Sequence, residues 1–202
     1  MIQELLEYSR IGHAETGADQ IDLAELIDDI PRTLCANDER QVVMTTRMPS
    51  LWVAPGMIRQ IFQNLISNGL HYNESAPRRV EISAMLIGGR PARWVFAVRD
   101  NGIGIEPEYH AKIFEIFKRL HADQAYSGSG IGLASVRKAV TYLGDSVCLE
   151  STPGKGKYLL RRTARALQPT HAAKPALHGM KMTTTPPSGI ALAKSWHNPR
   201  TV

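Results

Sequence analysis

From Pro55 to Tyr72 the chain carries a long amphipathic segment, in which Ile58, Ile61, Phe62, Leu65 and Ile66 recur at helical spacing. Pro55 suits the first helical position, where no N–H is needed. A helix with so continuous an apolar stripe must bury it, so its partners matter. Gln41–Met48 alternates and is rich in Val and Thr, a strand ending at Pro49. Arg79–Ile87 and Arg93–Arg99 read as strands joined by a Gly-Gly-Arg-Pro turn at residues 88–91. Further helices are expected at Leu23–Ala36, with Asp22 as N-cap, at His110–Leu120 and at Ile131–Leu143. The last strands are Ser146–Ser151 and Tyr158–Arg162, around Pro153-Gly154-Lys155-Gly156. Hairpins without a regular strand–helix alternation favour an α+β two-layer sandwich over a doubly wound sheet.

The ends differ from this body. Residues 1–12 read as a short helix with Ile2, Leu5, Leu6 and Ser9 on one face, interrupted at Gly12, and residues 13–21 read as a linker. Periodicity ceases near Arg165, and residues 166–202, rich in Pro, Thr, Ala, His and Lys, read as a disordered basic tail. Charge follows the same division. Residues 151–202 hold nine Lys/Arg and no Asp or Glu, leaving 15 basic against 19 acidic side chains, a net of −4, in residues 1–150. The net charge of +5 thus comes from residues 151–202, and the body shows no basic stripe with interleaved aromatics that would suit nucleic acid. Cys35 and Cys148 fit neither a zinc motif nor a disulfide framework. No apolar run reaches the roughly 18 residues of a membrane span, and a cytoplasmic location is expected.

Three segments carry chemistry. In Gln63–Tyr72, Asn64, Asn68 and either His71 or Tyr72 share one helix face, while Leu65 and Ile66 face the core. Amides in such a row could hold phosphate oxygens and a hard cation such as Mg2+; they could equally be two surface asparagines. Asp100-Asn101-Gly102-Ile103-Gly104-Ile105 follows a strand directly, and its carboxylate can meet an exocyclic amine where the glycines admit close approach. Alone it could be a tight turn. Gly128-Ser129-Gly130-Ile131-Gly132-Leu133 opens a helix whose free N–H groups and dipole favour phosphate. It lacks the Lys and Ser/Thr of a Walker motif.

Taken in order, NLISNGLHYN, VRDNGIGIEPEYHAKIFEIFKRLH, YSGSGIGLASVRKAV and LESTPGKG resemble the catalytic domain of sensor histidine kinases, within the superfamily that includes gyrase, MutL and a heat-shock chaperone. IFEIFKRLH and HYNESAPRRVEI are similar to the phytochrome-like branch in particular. The resemblance covers roughly Asp22 to Leu160, and residues 22–165 are taken as the domain. It implies an ATP- and Mg2+-dependent fold of about five strands and three helices. In it Asn68 would ligate Mg2+, Asn64 would assist at the phosphates, Tyr72 would stack near adenine and Asp100 would accept the adenine amino hydrogen. Gly102, Gly104 and Ile105 would shape that pocket. Phe114 and Phe117 would anchor a lid over residues 122–128, with Lys118 or Arg119 reaching the γ-phosphate. Gly128, Ser129, Gly130, Ile131, Gly132 and Leu133 would close over the triphosphate.

Relatives that hydrolyse ATP carry a water-activating Glu where this chain has Asn64, which cannot act as a base. Because phosphoryl transfer depends mostly on positioning and charge stabilisation, the resemblance implies a kinase. LLEYSRIG resembles the end of a dimerisation hairpin's second helix, and His13 lacks the acidic neighbour of a phosphoacceptor. The acceptor histidine is therefore expected in trans on a dimerisation domain, which would pass phosphate to a response regulator. Alternatives are a decayed ATP- or ADP-binding regulatory module, and a serine kinase of the anti-sigma-factor type, against which the LLEYSRIG leader argues. Three positions depart from the family. Lys157-Tyr158-Leu159 replaces a small hydroxyl residue and Phe, which puts the last core strand in doubt. Gly69 replaces a usual Ala. His71 replaces a Lys or Arg, and a neutral imidazole is the weaker phosphate partner. His71→Lys is expected to tighten nucleotide binding in calorimetric titration; an unchanged dissociation constant would show that His71 makes no phosphate contact.

Overall fold

The computed structural model describes residues 2–12, 17–34, 40–88, 92–120, 128–152 and 157–162, the side chains of 32–34 and 157–162 excepted. In chain order the elements are α1 (Ile2–Arg10), β1 (Asp19–Asp22), α2 (Leu23–Leu34), β2 (Arg40–Met44), β3 (Ser50–Val53), α3 (Pro55–His71), β4 (Arg78–Ile87), β5 (Arg93–Asp100), α4 (Gly132–Tyr142), β6 (Ser146–Ser151) and β7 (Lys157–Arg162). Strands order as β2-β4-β5-β7-β6, with β2 parallel to β4 and the remaining pairs antiparallel. α2, α3 and α4 back this sheet, giving the two-layer α+β sandwich.

The pleat decides what faces the helices. Val80, Ile82 and Ala84 of β4 are buried and stand opposite Asp100, Val98 and Phe96 of β5 in register. Asp100 is thus the terminal member of the inward row, a carboxylate placed by strand parity on the helix side of the sheet. Against this row α3 lays Met57, Ile58, Ile61, Phe62, Leu65, Ile66 and Leu70, all buried. Each such side chain contributes about 1.5–3 kcal/mol. Phe62 meets Phe96 edge-on at 5.9 Å, a favoured aromatic geometry. α2 adds Leu23, Leu26, Ile27 and Ile30 at helical spacing. Its first turn is capped as expected, Asp22 Oδ1 accepting from the N–H groups of Ala24 (2.8 Å) and Glu25 (3.4 Å). α4 buries Ala134, Ser135, Val136, Ala139 and Val140 and ends at Gly144, whose φ of +75° reverses the chain. α1 has no buried side chain. It is tied to α4 by Lys138, whose Nζ donates to the carbonyls of Tyr8 (2.8 Å) and Ser9 (3.3 Å) and lies over the Tyr8 ring. No described helix is long and apolar enough to cross a membrane.

Several elements depart from expectation. The residues read as a linker include β1, which pairs antiparallel with β3, a second strand that was not anticipated. Both are only four residues long, too short for periodicity to reveal. β2 ends at Met44, beyond which the side chains of Thr45 and Thr46 bond the backbone of β4, the Thr46 hydroxyl accepting from the Ala84 N–H at 2.7 Å. In place of the helix expected over His110–Leu120 there is one 3-10 turn, Lys112–Phe114, and another, Pro107–Tyr109, just precedes the range. Phe117 takes φ +63° and donates its N–H to the Gly130 carbonyl at 3.0 Å; that long-range bond overrides local helical preference. β7 forms despite the altered sequence at Lys157–Leu159, pairing with both β5 and β6. The 88–91 turn past Gly88, the 153–156 segment and the 166–202 tail lie outside the described residues.

At Gly69 α3 comes close to the sheet. A methyl group there would stand 2.9 Å from Val80 Cγ2 and 3.1 Å from Asp100 Cβ. Alanine would gain about 1 kcal/mol of helix propensity, but overpacking against a stiff β-branched residue costs about 1–3 kcal/mol. Gly69→Ala is therefore expected to lower the melting temperature by a few degrees, roughly 2–4 °C for each kcal/mol lost in a chain of this size. A higher melting temperature would show that the sheet yields freely at this point.

Candidate functional site

The outward side of α3 carries a polar row above the buried stripe. Asn64 and Asn68 are half-buried, and the start of α4 comes down beside them. A methyl group on Gly132 would lie 3.6 Å from Asn64 Oδ1 and 3.7 Å from Asn68 Nδ2. Among the described residues no side chain caps α4 at Ile131, and the first N–H groups of a helix have no intrahelical partner. The Ser129 hydroxyl accepts from the Ile131 N–H at 3.3 Å. Two asparagine amides and a helix N-terminus therefore meet at one place, the combination that suits phosphate oxygens.

At the C-terminus of α3, Tyr72 N–H donates to the Asn68 carbonyl at 3.0 Å, closing the helix. The Tyr72 hydroxyl lies 3.6 Å from where a Gly128 methyl group would stand, and His71 packs edge-on to the Tyr72 ring at 4.9 Å. The Tyr72 carbonyl accepts from Ile103 N–H at 3.2 Å. This bond holds the turn after β5 against α3. Gly102 sits in the crook: any Cβ there would collide with the Tyr72 carbonyl oxygen and come within 2.8 Å of Asp100 Oδ1. The Gly102 N–H donates to Asp100 Oδ1 at 2.9 Å. Asp100 is only 5% exposed, and its Oδ2 lies 3.5 Å from a methyl position on Gly69. A buried carboxylate with one oxygen satisfied by backbone can accept a further hydrogen bond from an amine.

The three segments singled out in the sequence converge, and their members differ in role. Gly132 lies beside Asn64 and Asn68, Gly128 beside the Tyr72 hydroxyl, and Gly102 beside the Tyr72 carbonyl and Asp100. Ile105 and Ile131 are buried, and Leu133 packs against the core. Gly104 has φ +74°, a conformation suited to glycine, and Ile105 N–H is held by the Ser151 hydroxyl at 2.8 Å. Gly130, at φ +71°, stacks on Phe117; a Cβ would lie 2.9 Å from the Phe117 carbonyl carbon. Phe114 is half-buried beneath the Arg137 guanidinium, 5.9 Å from the ring centre. Phe117, Lys118 and Arg119 are exposed. Residues 121–127, which hold most of the expected lid, lie outside the described residues, as does His13.

Sequence reading missed Asn73, Asn101 and Ser151. Asn73 is 1% exposed and hydrogen-bonded to Asn101, Nδ2 to Oδ1, at 2.7 Å. An asparagine just past a helix end invites a capping or turn role, but its partner lies 28 residues away and only the fold pairs them.

Comparison with known proteins agrees with this geometry. The family described as "Histidine kinase-, DNA gyrase B-, and HSP90-like ATPase" matches residues 54–162, more than half the chain. Phytochrome-like protein Cph1 of Synechocystis sp. is 33% identical over 159 residues, covering 77% of this chain and 21% of that protein. Cyanobacterial phytochrome B of Nostoc sp. is 35% identical over 160 residues, with the same two coverages of 77% and 21%. The chain thus spans about a fifth of the length of these curated relatives. Among solved structures, full-length ShkA in complex with AMPPNP superposes with TM-score 0.69 at 25% identity, over 85% of this chain and 36% of that one. The mycobacterial sensor histidine kinase MprB gives 0.62 at 20% identity, over 72% of this chain and 96% of that one. The chain belongs to the family of histidine kinase-, DNA gyrase B- and HSP90-like ATPases.

Proposed function

We propose that the chain is the ATP-binding catalytic domain of a two-component sensor histidine kinase, binding Mg2+·ATP among α3, the turn after β5 and the start of α4. The observation that carries this reading is the approach of the α4 N-terminus to Asn64 and Asn68 on the outward side of α3, with buried Asp100 packed against Gly69 in the last turn of the same helix. The distribution matches a nucleotide's two halves. An uncapped helix start and two amides suit phosphates, and a buried carboxylate suits an exocyclic amine.

The residues present fit both groups. Gly102, with no side chain, packs against the Tyr72 carbonyl and bonds Asp100 through its N–H, and Gly132 brings bare backbone close to the two asparagines. Asn68 would offer its amide oxygen to Mg2+, a hard-cation ligand. Asn64 would hydrogen-bond phosphate oxygens, and Tyr72 would lie beside the base. Gly128, Gly130 and Gly132 would approach the phosphates with bare backbone, while Lys118 or Arg119 would offset negative charge. When bound, Mg2+·ATP supplies the transferable phosphoryl group and part of its charge neutralisation. Asn64 cannot deprotonate water, so the site holds and orients without a hydrolytic base. Acceptance would fall to a histidine on a dimerisation domain in trans, and from there to a response regulator. FilI of Methanothrix harundinacea and AruS of Pseudomonas aeruginosa, both named as histidine kinases, are each 28% identical to this chain, which favours that assignment over a serine kinase.

Calorimetric titration of Mg2+·AMPPNP tests the reading. Asp100→Asn is expected to weaken binding about 10- to 100-fold, the loss of a hydrogen bond to a charged group. Asn68→Ala is expected to remove the dependence of affinity on Mg2+. Binding that meets both expectations makes phosphotransfer to a separately supplied histidine hairpin the next assay. No heat at millimolar nucleotide from the folded chain would instead mark a module that has lost its ligand.

A further inference from the structure

A polar clamp lies just behind the pocket, on residues that the nucleotide reading does not use. Asn73, although 1% exposed, makes three hydrogen bonds. Its Nδ2 donates to the Gly69 carbonyl at 3.1 Å and to Asn101 Oδ1 at 2.7 Å, and its Oδ1 accepts the Ser75 N–H at 3.0 Å. Asn101 Oδ1 also accepts the Arg79 N–H at 2.8 Å, and its Nδ2 donates to the Pro77 carbonyl at 3.0 Å. Its backbone is held as well: the N–H donates to the Arg79 carbonyl at 3.2 Å, and the carbonyl accepts the Ser75 hydroxyl at 2.8 Å. Five hydrogen bonds thus fasten the residue that directly follows Asp100. The Asn73 bonds link it to the turn of α3 that carries Asn68 and Gly69.

We propose that Asn73, acting through Asn101, is a positioning residue that sets the base selectivity of the pocket by fixing the Asp100 carboxylate against the last turn of α3. The proposal rests on the nucleotide reading above. Asp100 is held from both sides. Asn101 follows it in the chain and is clamped through Asn73 to Gly69, and on the pocket side Gly102 N–H bonds its Oδ1 while Ile103 is bonded to the Tyr72 carbonyl. Adenine presents an amino group at the position where guanine presents a carbonyl oxygen. A carboxylate held immobile accepts from the first and repels the second. Were it free to shift or to admit water, it would tolerate either. Strong discrimination requires buried polar groups that cannot relax around the wrong partner, and immobility is what the clamp provides. Simple packing would not need amides here; the buried Asn73 side chain is tolerated because its polar atoms are satisfied.

The experiment measures binding of three Mg2+-loaded probes to the full chain: AMPPNP, its guanine counterpart and inorganic tripolyphosphate. In the wild type, adenine is expected to be preferred. Asn73→Ala is expected to narrow the adenine-to-guanine affinity ratio about tenfold while changing tripolyphosphate affinity less than about twofold. Asn101→Ala should do the same. Equal weakening of all three probes would mean that Asn73 serves stability alone, and an unchanged ratio would overturn the proposal outright. Should Asn73→Ala and Asn101→Ala not fold, Ser75→Ala removes a single exposed link to the Asn101 carbonyl and should narrow the ratio about two- to threefold. A folded Ser75→Ala with the wild-type ratio would then overturn it. A wild type that binds none of the probes fails the nucleotide reading itself, whereas a wild type that binds adenine selectively with an Asn73-independent ratio fails only this inference.

Discussion

The site depends on how closely α3 is drawn onto β4 and β5. Seven buried apolar side chains of α3 pull it down, and Gly69 removes the one Cβ that would hold its last turn away from Val80 and Asp100. That approach has two consequences. It brings the outward amides of Asn64 and Asn68 to a fixed height above the sheet, and it roofs Asp100 so that the carboxylate is nearly dehydrated. A hydrogen bond to such a carboxylate is worth more than one made in water, because the local dielectric is low and the alternative partners are gone. Surface charge pairs contribute little by comparison. Arg59 and Asp29 meet at 3.4 Å with both side chains about half exposed, a setting worth roughly 0–1 kcal/mol.

α4 completes what α3 begins. Its inner face is built from small residues, Ala134, Ser135 and Ala139, beside Val136 and Val140, which allows two helices to lie close together. Close packing is what lets Gly132 reach the asparagine row. Just before it, Gly130 and Phe117 share a hydrogen bond and both take left-handed backbone. A positive φ is easy for glycine and costs a phenylalanine roughly 1–2 kcal/mol. The chain entering α4 is thereby coupled to the segment bearing Lys118 and Arg119. At its other end α4 holds α1 through Lys138. One helix therefore meets Asn64 and Asn68 at its start, Phe114 through Arg137 and the N-terminal helix through Lys138.

The chemistry proposed for the site follows from what it lacks as much as from what it contains. Asn64 stands where a hydrolytic relative has a base, so the residues can bind, orient and neutralise without activating water. An active site of this kind becomes an enzyme only when an acceptor is brought to it. The chain spans about a fifth of its curated relatives, and in the proposed scheme the acceptor histidine comes from another domain.

The amino-acid sequence by itself determined the elements whose signals are local. The stripe of α3, the Asp22 cap, the two central strands and the glycine-rich turns all depend on neighbours within a few residues, and each could be read from spacing and residue type. The ordered set of motifs identified the family for the same reason. Only the tertiary structure decided which of those residues do which work. It replaced the helix expected at His110–Leu120 with one short turn, because Phe117 bonds to Gly130 across the fold. It paired β1 with β3, each only four residues long. It buried Ile105 and Ile131 and paired Asn73 with Asn101. The physical reason is common to all these cases: hydrogen bonds between distant segments form only after apolar burial has brought the segments together, and no local pattern records them in advance.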